Sequence, residues 1–198
     1  KQRTTLYQNE GERKRLKSKI TDLNSYLNEL NITVEIFVWD EFAIPRIAQL
    51  TQRTNQFNLT TRRYSESDIN LLAHSESSLI YYIKSGDRFG EHGIVATCII
   101  HIKDDSWEID TFLLSCRVIG RGIEQAFLHF ICQNAIKKNI KKIIGKFLQT
   151  QKNTIAESFY PNMGFKIQSS NKQKTVLSLD LSSKLVSLPM HINKTKHG

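Results

Sequence analysis

The residues with the most chemical potential gather around one short stretch. Cys116 stands directly before Arg117, Val118, Ile119, Gly120, Arg121 and Gly122, where a strand pattern gives way to a helix pattern. A cysteine thiolate is a strong nucleophile once a cation or a helix N-terminus lowers its pKa, and Arg117, Arg121 and the predicted helix start can supply that field. The alternative for Cys116 is an inert, buried apolar side chain. Cys98 and Cys132 fall inside a predicted strand and a predicted helix and read as core. The two glycines let the backbone bend so that its N–H groups share one small space, and the helix end adds partial positive charge. Such a turn can hold a phosphate or pyrophosphate. It can equally be a tight strand-to-helix connection and nothing more.

Three further groups can take part in the same chemistry. His92 lies in a glycine-rich stretch, 86–93, that reads as a turn, and it can act as a base toward Cys116 or an acceptor hydroxyl. A solvent-exposed turn histidine is the plainer reading. Asp110 shares strand parity with Phe112, Leu114 and Cys116, so alternation places it on their face, able to orient His92 or bind a substrate hydroxyl. A structural hydrogen bond is its alternative. Residues 51–63 are dense in Asn, Gln, Thr and Arg. A small polyol needs several oriented donors and acceptors, which makes Asn55, Gln56, Asn58, Thr60 and Arg62 the candidate substrate contacts. A hydrated loop with Asx turns also fits this composition.

These residues need elements to position them. Leu16, Ile20, Leu23, Leu27 and Leu30 predict an amphipathic helix or two over residues 1–32, read as a connector from an upstream domain. Strands are predicted at 33–38, 79–83, 94–102, 107–116 and 142–148, with a closing pair at 165–167 and 175–179. Helices are predicted at 42–52, from the Ser65 cap, from Gly122 onward, and at 154–160. The order over 33–180 is β-α-α-β-β-β-α-β-α-β-β, an α/β (α+β) arrangement with a mixed central sheet flanked by helices. The long helix between two strands implies a parallel pair. Residues 181–198 read as a polar tail.

Composition narrows the function classes. The 198 residues are 39% hydrophobic and carry a net charge of +9, a globular rather than disordered balance. After Glu124 there are 12 Lys, no Arg, and only Glu157 and Asp180 as acids. A basic surface attracts polyanions, but aromatics do not interleave with the lysines as in nucleic-acid-binding motifs. An acidic carrier protein or a phosphorylated cofactor fits better. Lys152 and Arg121 are the cations best placed to meet such a carrier. No apolar run reaches the roughly 20 residues of a membrane helix. Three widely spaced cysteines make neither a disulfide framework nor a zinc site, so a reduced, cytoplasmic setting and no metal are expected. The chain begins at Lys1 without a Met, as an excised domain would.

Two patterns together carry a resemblance. R-x-x-G-x-G at 117–122 resembles the cofactor-binding motif of the GNAT superfamily, and Asn153, Ala156, Tyr160, Gly164 and Phe165 resemble its second signature, N…A…Y…GF. The likeness implies a GNAT-like fold, with Arg117 to Gly122 and Asn153 at the phosphate of CoA or of a phosphopantetheine arm. It also implies that Tyr160 acts as a general acid beside the thioester sulfur. Three longer strings, at 51–64, 87–93 and 109–117, resemble the C-terminal region of the FkbH-like family of polyketide assembly. Members join a haloacid-dehalogenase-type (HAD) phosphatase to a GNAT-like domain and load a glyceryl group from 1,3-bisphosphoglycerate onto an acyl carrier protein. By that resemblance this chain is an acyltransferase domain working with an acyl carrier protein and with the phosphatase domain, upstream or in trans. An acyl-Cys116 relay would suit the nearly isoenergetic transfer between thioesters. The sequence departs from the family in lacking any D-x-D phosphatase motif, and in having Gln149 before Thr150 where the family tends to have Pro. A carrier-docking module and a CoA-dependent N-acetyltransferase are the rival functions.

Overall fold

The chain is described by a computed structural model covering residues 2–182 and 186–197. The first two helices are α1 (Gln2–Lys19) and α2 (Leu23–Leu30), and α2 leads into strand β1 (Ile32–Val38). Asp22 caps α2 through the Ser25 amide, and Asn31 ends it in a left-handed conformation. Then come α3 (Ile44–Arg53), the two-residue strand β2 (Phe57–Asn58) and α4 (Glu66–Ala73). A full capping box between Ser65 and Asp68 starts α4. The long strands β3 (Ser78–Asp87), β4 (Gly90–Ile102) and β5 (Ser106–Leu114) follow as a meander. A 3₁₀ turn (Cys116–Val118) leads to α5 (Ile123–Lys137), β6 (Lys142–Leu148), the short α6 (Phe159–Asn162), and strands β7 (Lys166–Ser170), β8 (Lys174–Asp180) and β9 (Ile192–His197).

The strands form a single mixed sheet in the order β7-β8-β6-β5-β4-β3-β1-β9. Alternation along β3 sorts the two faces. Tyr81 and Ile83 join Tyr26, Leu27 and Leu30 of α2 and the apolar face of α5 in one core. Ile80 and Tyr82 meet Ile44, Ile47 and Ala48 of α3 and Ile69 of α4 in a second core. The sheet is therefore covered on both sides, which is what strands this apolar require. The predicted order and the parallel pair, β5 with β6, are both present.

Two sequence expectations change here. The polar tail after residue 180 instead contains β9, which pairs parallel with β1 through Ile192↔Ile32 and beyond, and Val186 and Ile192 are buried. Sparse apolar residues in a polar stretch were enough because they fall opposite an unpaired sheet edge. The glycine-rich stretch 86–93 is not a loop. β3 and β4 pair as far as Asp87↔Gly90, leaving a two-residue turn, and His92 stands on a strand.

The junction of β5 and β6 has a local departure. The two strands pair only over Ser106–Glu108 and Lys142–Ile144 and then separate. Residues 57–59 fill the gap. Phe57 and Asn58 pair with Leu114 and Leu113 of β5, the Leu59 amide donates to Phe112 O at 3.1 Å, and the Leu148 amide of β6 donates to Leu59 O at 2.8 Å. The segment thus bridges the two halves of the sheet.

Candidate functional site

An open bay of about 1100 Å³ lies where β5 ends. Its walls come from α3 (Arg46, Gln49, Arg53), the following loop (Asn55, Gln56), the start of β4 (His92, Ile94), the turn after β5 (Ser115, Cys116, Arg117) and Lys152. Of the residues singled out in the sequence, Cys116, His92, Arg117, Asn55 and Gln56 line this bay. Cys116 is exposed rather than buried, whereas Cys98 and Cys132 are buried.

His92 is held from behind. Its Nε2 lies 3.1 Å from Asp87 Oδ2, and that carboxylate also receives Arg13 Nε at 2.7 Å and Arg121 Nη1 at 3.0 Å. Arg13 Nη2 and the Phe89 amide reach the other oxygen at 2.9 and 3.0 Å. Burial pushes the Asp87 carboxyl up, but the hydrogen bonds from His92, Arg13 and Phe89 more than offset it and hold it well below the usual carboxylate range. The ionised Asp87 carboxylate only accepts and favours a hydrogen on His92 Nε2, whereas Arg121 Nη1, 3.3 Å from the same nitrogen, only donates and favours the other tautomer. Sequence reading missed Asp87 and Arg13. The pairing of Asp87 with His92 across the tight hairpin is the signal that was there to use. Arg46, Gln49 and Arg53 were also missed, although their spacing of three and four puts them on one face of α3.

Other candidates have different roles. Asp110 is on the opposite face from Phe112 and Leu114. The β4–β5 register jumps from Ile99↔Thr111 to Ile100↔Ile109, so Asp110 is an extra residue, a β-bulge that resets the alternation. Its side chain is 1% exposed and accepts from Tyr64 OH at 2.6 Å and Thr111 Oγ1 at 3.0 Å, with Arg62 Nη1 at 2.6 Å and His101 Nε2 at 3.4 Å. Asp110 therefore orients Tyr64 and Arg62, not His92, and Arg62 faces Asp110 rather than the bay. Thr60 Oγ1 donates to Asp110 O at 2.7 Å. Asn58 is fully buried, accepts from the Thr61 amide and donates to Thr54 O, the Asx-turn alternative in structural form. Asn58 and Thr60 thus hold the segment between β5 and β6 in place and do not reach the bay.

Asn153 and Tyr160 are corrected as well. Both Nδ2 hydrogens of Asn153 are used, on Asn58 O and Leu148 O at 2.9 Å each, and its Oδ1 accepts from the Thr150 amide and hydroxyl. No capacity remains for a cofactor. Tyr160 is 1% exposed and its ring packs at a tilt against Phe159 and Phe165. Its hydroxyl is buried without a hydrogen-bond partner among the described residues, and burial pushes its pKa well above the ordinary tyrosine value. A phenol so placed is a core group and cannot protonate a thiolate at the surface.

The glycine turn is only partly open. Gly122 has a positive φ of 76°, and a Cβ there would meet His191 Nε2 at 2.9 Å and Pro189 Cγ at 3.2 Å. The segment from β9 therefore lies over it, and His191 Nε2 is 2.8 Å from Arg121 O. Glu124 stands in the first turn of α5 with its Oε2 buried and without a hydrogen-bond partner among the described residues, and burial raises its pKa. A carboxyl of the chain itself thus sits at the helix end expected to hold phosphate. The Val118 amide is used by Ser115 O at 3.1 Å and the Val118 side chain is buried. Ile119 is half-buried, while space remains at Gly120. Arg121 points inward to Asp87 with its side chain 14% exposed, so it is not a surface cation for a carrier protein. Among residues 117–122 only Arg117 lines the bay.

Comparison with solved structures places the architecture. The ribosomal-protein-S18-alanine N-acetyltransferase from Escherichia coli superposes with a TM-score of 0.58 at 14% identity, covering 75% of this chain and 94% of that one. The GNAT domain of S. lividans PAT gives 0.58 at 16% identity, covering 73% and 89%. The IAA acetyltransferase from Bacillus cereus ATCC 14579 gives 0.54 at 17%, covering 74% and 99%. No protein-family model and no curated protein sequence matches the chain. At these identities the likeness establishes the fold, and the fold is GNAT.

Proposed function

With a GNAT fold as the premise, we propose that this chain is an acyl-transfer domain working through Cys116. The observation that carries the reading is the meeting of an exposed thiol and a carboxylate-anchored histidine in one basic bay. In the first half-reaction the Cys116 thiol loses its proton to a base, for which His92 is the candidate, and the thiolate attacks the acyl carbonyl. The donor's leaving group departs with the bonding pair, the proton on His92 passes to it or to water, and the acyl group is held as a thioester on Sγ. In the second, His92 takes the proton of an incoming thiol, that sulfur attacks the same carbonyl, and Cys116 leaves as thiolate. One thioester replaces another, so little free energy changes hands and the barrier is mainly one of positioning.

The acceptor that fits best is the phosphopantetheine thiol of an acyl carrier protein, and the acyl group that the FkbH-like resemblance suggests is glyceryl. The electropositive rim, with Lys152 and Arg53 exposed, suits an acidic carrier. Asn55 and Gln56 are the remaining polyol contacts. Supply of the acyl group rests with a HAD-type phosphatase domain, upstream or in trans. Intact-mass analysis of the protein, incubated with that phosphatase partner, 1,3-bisphosphoglycerate and holo carrier protein, tests the proposal. A glyceryl adduct on the wild-type chain, its loss in Cys116→Ala, and loss of loaded carrier are expected; undiminished loading by Cys116→Ala would end the relay.

A second reading follows from the names of structural neighbours, among them an N-acetyltransferase and an acetyltransferase. It takes acetyl-CoA as donor and an amine as acceptor. The Glu124 carboxyl and His191 at the glycine turn, and the buried Tyr160, weigh against it. Acetyl-CoA turnover with an amine, retained in Cys116→Ala, would favour it.

A further inference from the structure

We infer that Arg46, Arg53 and Arg117 form a phosphate-binding subsite in the bay beside Cys116, and that this subsite, not the glycine turn, receives the phosphate of the substrate. The charge balance of the bay is one-sided. Arg46, Arg53, Arg117 and Lys152 line it, and no carboxylate does. Arg13, Arg62, Arg88 and Arg121 all have acidic partners within 4 Å, whereas none of the four bay cations forms an ion pair among the described residues. Arg46 is half-buried, fixed by Gln49 and by Ile94 O, and burial together with Arg117 and Arg53 lowers its pKa. Like charges gathered without a counter-ion repel one another. A dianion between them would relieve that repulsion, and guanidinium forks suit its oxygens. The glycine turn offers the opposite environment, because Glu124 stands in the first turn of α5 and His191 and Pro189 cover Gly122.

The inference deepens the acyl-transfer reading by naming what the substrate carries, and rests on it only in taking the bay as the reacting site. The phosphate can belong to the pantetheine arm or to the acyl group, and one experiment separates the sources. The full chain is titrated calorimetrically at low salt with 4′-phosphopantetheine against pantetheine, and with 3-phosphoglycerate against glycerate. At least one phosphorylated ligand should bind about tenfold or more tightly than its unphosphorylated partner. Arg53→Gln and Arg117→Gln, both at exposed positions and checked for an unchanged melting temperature, should each remove most of that preference. Lys138→Gln, at the far end of α5, should leave it intact. Equal affinity within both pairs, or a preference that survives both arginine variants, would overturn the inference. Preference for phosphate without acyl transfer leaves the subsite standing and removes the relay, whereas acyl-Cys116 formation without the preference does the reverse.

Discussion

Asp87 carries its charge where its side chain has 0% exposure, so everything it touches must be an exact electrostatic partner. Asp87→Asn keeps the shape and removes the charge, leaving Arg121 without its counter-ion and Arg13 with only the exposed Glu10, 3.7 Å away. A loss of about 3–5 kcal/mol is expected in urea denaturation at pH 7. Because the folded-state pKa is depressed, this contribution is present above the unfolded carboxyl's pKa of about 4 and is lost as pH falls through the folded value. The gap between wild type and Asp87→Asn should therefore shrink as pH drops below about 4, and a pH-independent gap would mean the charge is not what matters. That Cys116 and His92 both line the bay was legible in part, since the sequence places one before a helix turn and the other in a compact glycine-rich turn. Tyr160 and Asn153 were misread because a motif fixes residue type and order but says nothing about which polar atoms the interior has already taken.

At the scale of elements, the segment 57–59 between β5 and β6 does the most to define the site, because Asn55 and Gln56 enter the bay directly before it. Asn153 holds it from beneath. Asn153→Ala would leave Asn58 O, Leu148 O and the Thr150 amide without their partner, a cost of about 2–4 kcal/mol. Amide exchange at Leu59 and Leu148 should quicken in this variant beyond the global loss of stability; quickening only in step with that global loss would show that the strand contacts alone suffice. This segment escaped the sequence reading because two residues of strand carry no periodicity. The bulge at Asp110 was more visible than it was taken to be: Ile109, Asp110, Thr111 and Phe112 place two polar residues between apolar ones, which strict alternation cannot do. One inserted residue moved Asp110 to the other face and with it the supposed partner of His92.

Over the whole molecule, the long strands and α5 were readable because each has a strong apolar pattern, and with them the GNAT architecture. The C-terminal contribution was not, since its few apolar residues matter only opposite β1. Removing residues 186–198 uncovers the β1 edge and the space against α5 that Val186 and Ile192 fill. At about 1.5–3 kcal/mol for each such side chain, several kcal/mol and a clear fall in melting temperature are expected, with self-association through the bared edge. A truncated chain that melts like the full one and stays monomeric in light scattering would show that β9 is dispensable. The bridged sheet has a further consequence for selectivity. With β5 and β6 stitched together by residues 57–59, the loop that carries Asn55 and Gln56 into the bay is anchored to both halves of the sheet. If the proposed acyl transfer takes place there, choice among incoming acyl groups would fall to their length and charge, measured against a fixed gauge.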